Sequence, residues 1–228
     1  MRQHLGDVVL SNELLAALGV RNIKRLTNAF SESELHVVIT ARDLARVMPS
    51  HWQTTIKMGK THTWSEFASS VCADLSSVER GELEVESAAE RIHDWFWRRH
   101  DVVSIIAKWQ TCVPADRMTL VTVPPSGSAP ETVARRFGSV IGVDLTGLTQ
   151  PASASNLSLG AHSAELLRRL NEQTPDADRA ERKYVLGGTV LGARTDTEPR
   201  FALSQAQQDW VRERAQRMID GLDTRVSA

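Results

Sequence analysis

The chain has little that would commit it to a metal, a disulfide framework or a membrane. Cysteine occurs twice in 228 residues, as Cys72 and Cys112. The two form no CxxC pair and no metal spacing, so a reduced compartment is the default, with one disulfide between them left open. No HxH, HExxH or Cys/His cluster occurs, so no metal is expected. No apolar run is long enough to span a bilayer. The opening MRQHLGDVVLSNELL carries an early acidic residue and no long apolar core, so it does not read as a signal peptide. Charge is nearly balanced, at a net −1. That gives no global electrostatic case for nucleic acid or an acidic membrane; an anionic ligand would need a local group of arginines. Cytoplasmic is the simplest location.

What is present is ordinary globular material. Apolar residues make up 41% and charged residues 24%, enough to bury a core across residues 1–228 as one domain. The most informative stretch is Leu35–Gln53, LHVVITARDLARVMPSHWQ. Its β-branched start reads as a buried strand. After Arg42-Asp43 it turns helical. Leu44, Val47, Met48, His51, Trp52 and Ile56 recur at the spacing of a buried helix face. Arg42, Arg46, Ser50 and Gln53 fall on another side, within roughly a quarter turn of one another. Pro49 inside that helix removes a backbone hydrogen bond and is expected to bend it. An arginine at the carboxyl end of a strand is well placed to grip an anion in bidentate fashion, and a nearby hydroxyl adds a hydrogen bond.

Around this stretch the pattern alternates. Asp7–Ser11 reads as a short strand, Asn12–Leu18 as a short helix and Arg21–Phe30 as an amphipathic helix. Thr63 or Ser65 caps a helix through Trp64, Phe67 and Val71. Residues 75–87 are an acidic connector. Ala88–Trp97 and Val102–Thr111 are tryptophan-bearing helices, and Met118–Val123 is a further strand, broken by Pro124-Pro125. Pro130–Ile141 is helical, 146–157 is a long surface loop, and Ser158–Asn171 is a helix with Ser158 as its cap. Arg179–Val190 is helical and carries Arg179, Arg182 and Lys183. Ser204–Leu222 closes as a capped helix. Strands alternating with helices imply an α/β chain with a parallel sheet. His51, His62 and His100 are candidate acid–base groups at neutral pH, in no evident triad.

Arg42, Ser50 eight positions later, and the ordered segments TARDLARVMPSHWQ, LVTVPPSG and NLSLG resemble the PAPS-dependent sulfotransferases, in the wording of their actinobacterial sulfotransferase-like branch. Leu44 stands where the cytosolic members usually carry proline. The resemblance implies a P-loop-like parallel sheet flanked by helices. It makes Arg42 and Ser50 the grip for the cofactor's 3′-phosphate and PAPS the co-substrate. The acceptor would be a hydroxyl on a small molecule or glycolipid. Sulfuryl transfer needs the phosphosulfate positioned, its developing charge stabilised and the acceptor proton removed.

The family holds the phosphosulfate on an N-terminal strand and a Pro-Lys-Ser/Thr-Gly-Thr-Thr loop. That loop has no counterpart here, and Met58-Gly59-Lys60-Thr61 lacks the upstream glycine of a P-loop. The chain is therefore expected to be an N-terminally shortened member, lacking its first strand. Glu13, in Ser11-Asn12-Glu13, is the only natural proton acceptor in the segment that matches the family's base-bearing region. A first-turn glutamate is also favoured by the helix dipole alone. Two other functions fit the same residues: a catalytically silent binding relative, and another P-loop-type nucleotide-dependent transferase.

Overall fold

A computed structural model describes residues 6–73, 87–125, 127–129, 131–145, 147, 158–175 and 188–226. The order of elements is α1 (Val20–Ala29), β1 (Val37–Ala41), α2 (Leu44–Lys57), α3 (Trp64–Cys72), α4 (Ala88–His100), α5 (Val102–Gln110), β2 (Met118–Thr122), α6 (Glu131–Ile141), α7 (Ala161–Gln173) and α8 (Gln205–Val226). Short 3-10 turns cover Glu13–Ala17, Ala115–Arg117 and Gly192–Thr197. The chain is mixed α/β and mostly helical. Among the described residues the sheet has two strands, β1 and β2, paired parallel from Val37↔Met118 to Ala41↔Thr122.

Alternation in the strands sets what covers each face of this pair. Val37, Ile39, Met118 and Leu120 point to one side and pack with Ile23 of α1 and Ile105 and Trp109 of α5. Val121 points to the other side and is buried; α6 packs against β2. A second, larger core joins α2, α3, α4, α7 and α8 around Trp52, Phe67, Phe96, Leu159 and Leu167. Within α2 five of the six residues of the expected buried face, Leu44, Val47, Met48, Trp52 and Ile56, are core residues, and His51 is half-buried. Truncating a buried tryptophan of this kind costs about 3–5 kcal/mol.

Two amides stitch α2 to the segment around α7. Gln53 Nε2 donates to Leu159 O at 3.0 Å, and Leu159 N donates to Gln53 Oε1 at 2.9 Å. Asn171 Nδ2 donates to both Ile56 O and Lys60 O at 2.8 Å. The second contact closes the end of α2, where Gly59 takes a positive φ of 90°. Met58-Gly59-Lys60-Thr61 is thus a helix-ending turn.

The expected strand at Asp7–Ser11 does not form. Residues 7–12 have no regular structure, and Val8, Val9 and Leu10 are each more than half exposed. A β-branched run becomes a strand only when a neighbour satisfies its backbone, and neither β1 nor β2 takes it. Ser158 does not cap α7 either. That helix begins at Ala161 with Gly160 at its cap, which offers no side-chain oxygen. Glu198 takes over: Ser163 donates to its carboxylate through N at 2.8 Å and Oγ at 2.7 Å. Residue-level caps elsewhere follow the sequence. Thr63 and Glu66 form a reciprocal capping box on α3, and Ser204 exchanges hydrogen bonds with Gln207 at the start of α8. The 146–157 loop lies almost wholly outside the described residues, as do the 75–86 connector and the Arg179, Arg182 and Lys183 cluster.

Candidate anion-binding site

The carboxyl ends of β1 and β2 lie side by side, and the ladder runs one bond further, with Val123 N donating to Ala41 O at 2.7 Å. Three arginines gather there from three elements. Arg42 follows β1 directly. Arg46 lies in the first turn of α2, pairs with the Asp43 carboxylate and donates through Nη2 to Pro124 O at 2.8 Å. Arg136 reaches in from α6 and donates through Nη1 to Thr122 O at 2.5 Å and Thr122 Oγ1 at 2.9 Å. Asp43 itself caps α2, its Oδ1 accepting from Arg46 N at 2.9 Å.

Arg46 and Arg136 therefore spend donors on Pro124, just past β2, and on Thr122, its last residue. Arg42 differs. Among the described residues it makes no hydrogen bond and no ion pair with a carboxylate. Its guanidinium pKa is lowered from the ordinary value, first by partial burial, then by the positive charge of Arg46, with Asp43 offsetting in part. A cation that is partly desolvated and faces a like charge gains from any anion that arrives. Between the first turn of α2 and α8 runs a groove of about 370 Å³ lined by Asp43, Leu44, Leu203, Val211, Gln208 and Arg212; Arg42 is not among its lining residues.

The expected polar face of α2 is divided. Ser50 is exposed, and so is Arg42, while Gln53 is buried against Leu159. Ser50 lies six residues into α2, about 9 Å along its axis from Leu44. Arg42 must extend along the helix to share one anion with it.

Glu13 opens the first 3-10 turn, held by Asn12 Oδ1, which accepts from Leu14 N at 2.8 Å. That turn packs on α4, and Glu13 acts on Arg99, raising its pKa against the lowering by burial. No hydrogen bond or ion pair among the described residues links Glu13 to Arg42. Since Asp7–Ser11 forms no strand, Glu13 is carried by a helical turn on α4 rather than by a strand end.

Two of the candidate histidines meet. His51 Nδ1 and His100 Nε2 are 2.9 Å apart. His62 instead bonds Thr55 Oγ1 through Nε2 at 3.0 Å. Arg136 was not singled out by the sequence. The available signal was an arginine two turns into the helix that follows a strand-breaking Pro-Pro.

Among the described residues there is no cluster of three or more His, Cys, Asp or Glu suited to a metal ion, and no helix is long and apolar enough to cross a membrane. No protein-family model, no curated protein and no solved structure matches the chain.

Proposed function

We propose that the chain is a sulfotransferase-like protein whose β1–α2 junction binds the 3′-phosphate side of PAPS or of its product PAP. The β1–β2 pair is then part of a P-loop-like sheet. The observation that carries this reading is Arg42: a guanidinium at the carboxyl end of a parallel strand, beside a second arginine, that makes no hydrogen bond or ion pair among the described residues and has its charge only partly offset by Asp43. Ligands of open α/β sheets bind outside that end of the strands. Arg42 would hold the phosphate in bidentate fashion, and Ser50 would donate a further hydrogen bond from α2.

Binding is favoured over turnover. In sulfuryl transfer the acceptor oxygen forms a bond to sulfur as the sulfur–oxygen bond to PAP breaks, and a base takes the hydroxyl proton. Glu13 is the base that the resemblance suggests, yet its neighbour is Arg99. This favours the silent, ligand-binding relative as the second reading. An acceptor alcohol remains the substrate class if transfer occurs.

The test is thermal stabilisation. PAP at 100 times its Kd would add about 2.7 kcal/mol to stability. Adenosine 5′-monophosphate, which lacks the 3′-phosphate, should do distinctly less. At the same PAP concentration, Arg42→Ala should cut the gain to roughly 0.4–1.4 kcal/mol. Equal shifts from the two nucleotides, or none from PAP, would refute the reading.

A further inference from the structure

The contact between His51 and His100 has a property that the anion site does not use. Two imidazole nitrogens 2.9 Å apart hold one proton between them, because one ring must donate and the other accept. The pair spans α2 and α4. It sits in an aromatic box: His51 stacks on Phe67 with centroids 5.9 Å apart, meets Phe96 edge-on at 5.3 Å, and His100 lies 4.6 Å from Phe96. Phe67 also stacks on His62 at 5.9 Å. The box is therefore walled by α2, α3, α4 and the turn after α2.

The charges facing the pair are all of one sign or neutral. From α4 comes Arg99, which acts on both rings. From the turn after α2 comes His62, acting on His51. Glu66 of α3 and Lys60 act on His62. Glu13 acts on Arg99. No carboxylate acts on His51 or His100 directly.

We propose that the His51–His100 pair is an acid-sensitive joint that fastens α4 to α2 at neutral pH and releases it on acidification. The first added proton must go to an outer ring nitrogen and places a cation among aromatic rings beside Arg99. A second proton on the shared edge leaves two donors facing each other and breaks the bond. Burial, then the neighbouring positive charges, push His51 down to about 3 and His100 to about 4. The folded state therefore binds these protons more weakly than the unfolded chain. The stability that depends on neutral rings is fully present above the unfolded value near 6.5 and is lost as pH falls below it toward the folded values.

The experiment is urea unfolding of the full chain at pH 7.0, 6.0 and 5.0, with tryptophan fluorescence as the signal. This range lies above the ordinary carboxylate values, so it isolates histidine. The unaltered protein should lose midpoint at each step. The double variant His51→Phe, His100→Phe should keep most of its midpoint across the same range. An equal loss in the two proteins would overturn the proposal. If the double variant does not fold, imidazole NMR of the unaltered chain decides. Neither His51 nor His100 should titrate above pH 5.5 while the fold is intact, and titration of either ring near 6.5 in the folded protein would overturn it.

Discussion

Gln53 and Leu159 exchange two hydrogen bonds in opposite directions across 106 residues of sequence. Gln53 is 5% exposed and Leu159 2%, so water cannot replace either bond. A Gln53→Leu substitution keeps volume but leaves the Leu159 N–H and C=O unpaired. Each buried, unsatisfied group costs about 1–3 kcal/mol. The expected loss is about 2–6 kcal/mol in urea unfolding, with Ser50→Ala, one turn earlier and exposed, close to neutral as the control.

Gly160 and Glu198 make a second buried dependency. A Cβ at residue 160 would clash with both Cβ and the carboxylate of Glu198, the group that caps α7 through Ser163. The backbone of Gly160 is ordinary, with φ −65°, so the effect of Gly160→Ala is steric. It is expected to destabilise by about 1–3 kcal/mol. Glu198→Gln in the Gly160 background should instead alter the acid limb. The bond to Ser163, side chain first, lowers the Glu198 pKa. Its contribution is present above the unfolded carboxylate value and lost as pH falls through the folded one. The variant should therefore lose less stability between pH 4.5 and 3 than the unaltered chain.

These two cases show where sequence reading stops. Helices announced themselves through local signals: Thr63 three residues before Glu66, Ser204 before Gln207, and the Leu44–Ile56 stripe. The strands at Val37–Ala41 and Met118–Thr122 were legible as β-branched runs, and they pair in parallel as expected. Asp7–Ser11 carried the same local signal and failed, because strand formation depends on a partner that no local pattern names. Helical angle alone groups Gln53 with Arg42 and Ser50. Its burial depends on Leu159, which a 100° projection cannot see. The Arg42 position at a strand end was legible. That Arg46 and Arg136 would be occupied by Pro124 and Thr122, while Arg42 makes no hydrogen bond or ion pair among the described residues, was not.

Asp43 gives a gain-of-binding test. Its carboxylate sits next to Arg42 and partly offsets the charge there. Asn is as good a cap as Asp, so Asp43→Asn should preserve α2. Removing one negative charge near the site should tighten PAP binding by roughly three- to tenfold at low ionic strength. The gain should shrink in 0.5 M salt. Weaker binding in a folded Asp43→Asn protein would place the phosphate away from this junction.

The central claim is that Arg42 holds a phosphate, and calorimetric titration of PAP into the unaltered protein, Arg42→Lys and Arg42→Ala measures it directly. A charge-assisted hydrogen bond of this kind contributes about 1.5–3 kcal/mol, so Arg42→Ala should weaken binding by roughly 10- to 100-fold. Arg42→Lys, which keeps the charge and loses the fork, should fall between. An affinity for PAP unchanged within error across the three proteins, all folded at the same temperature, would contradict the claim.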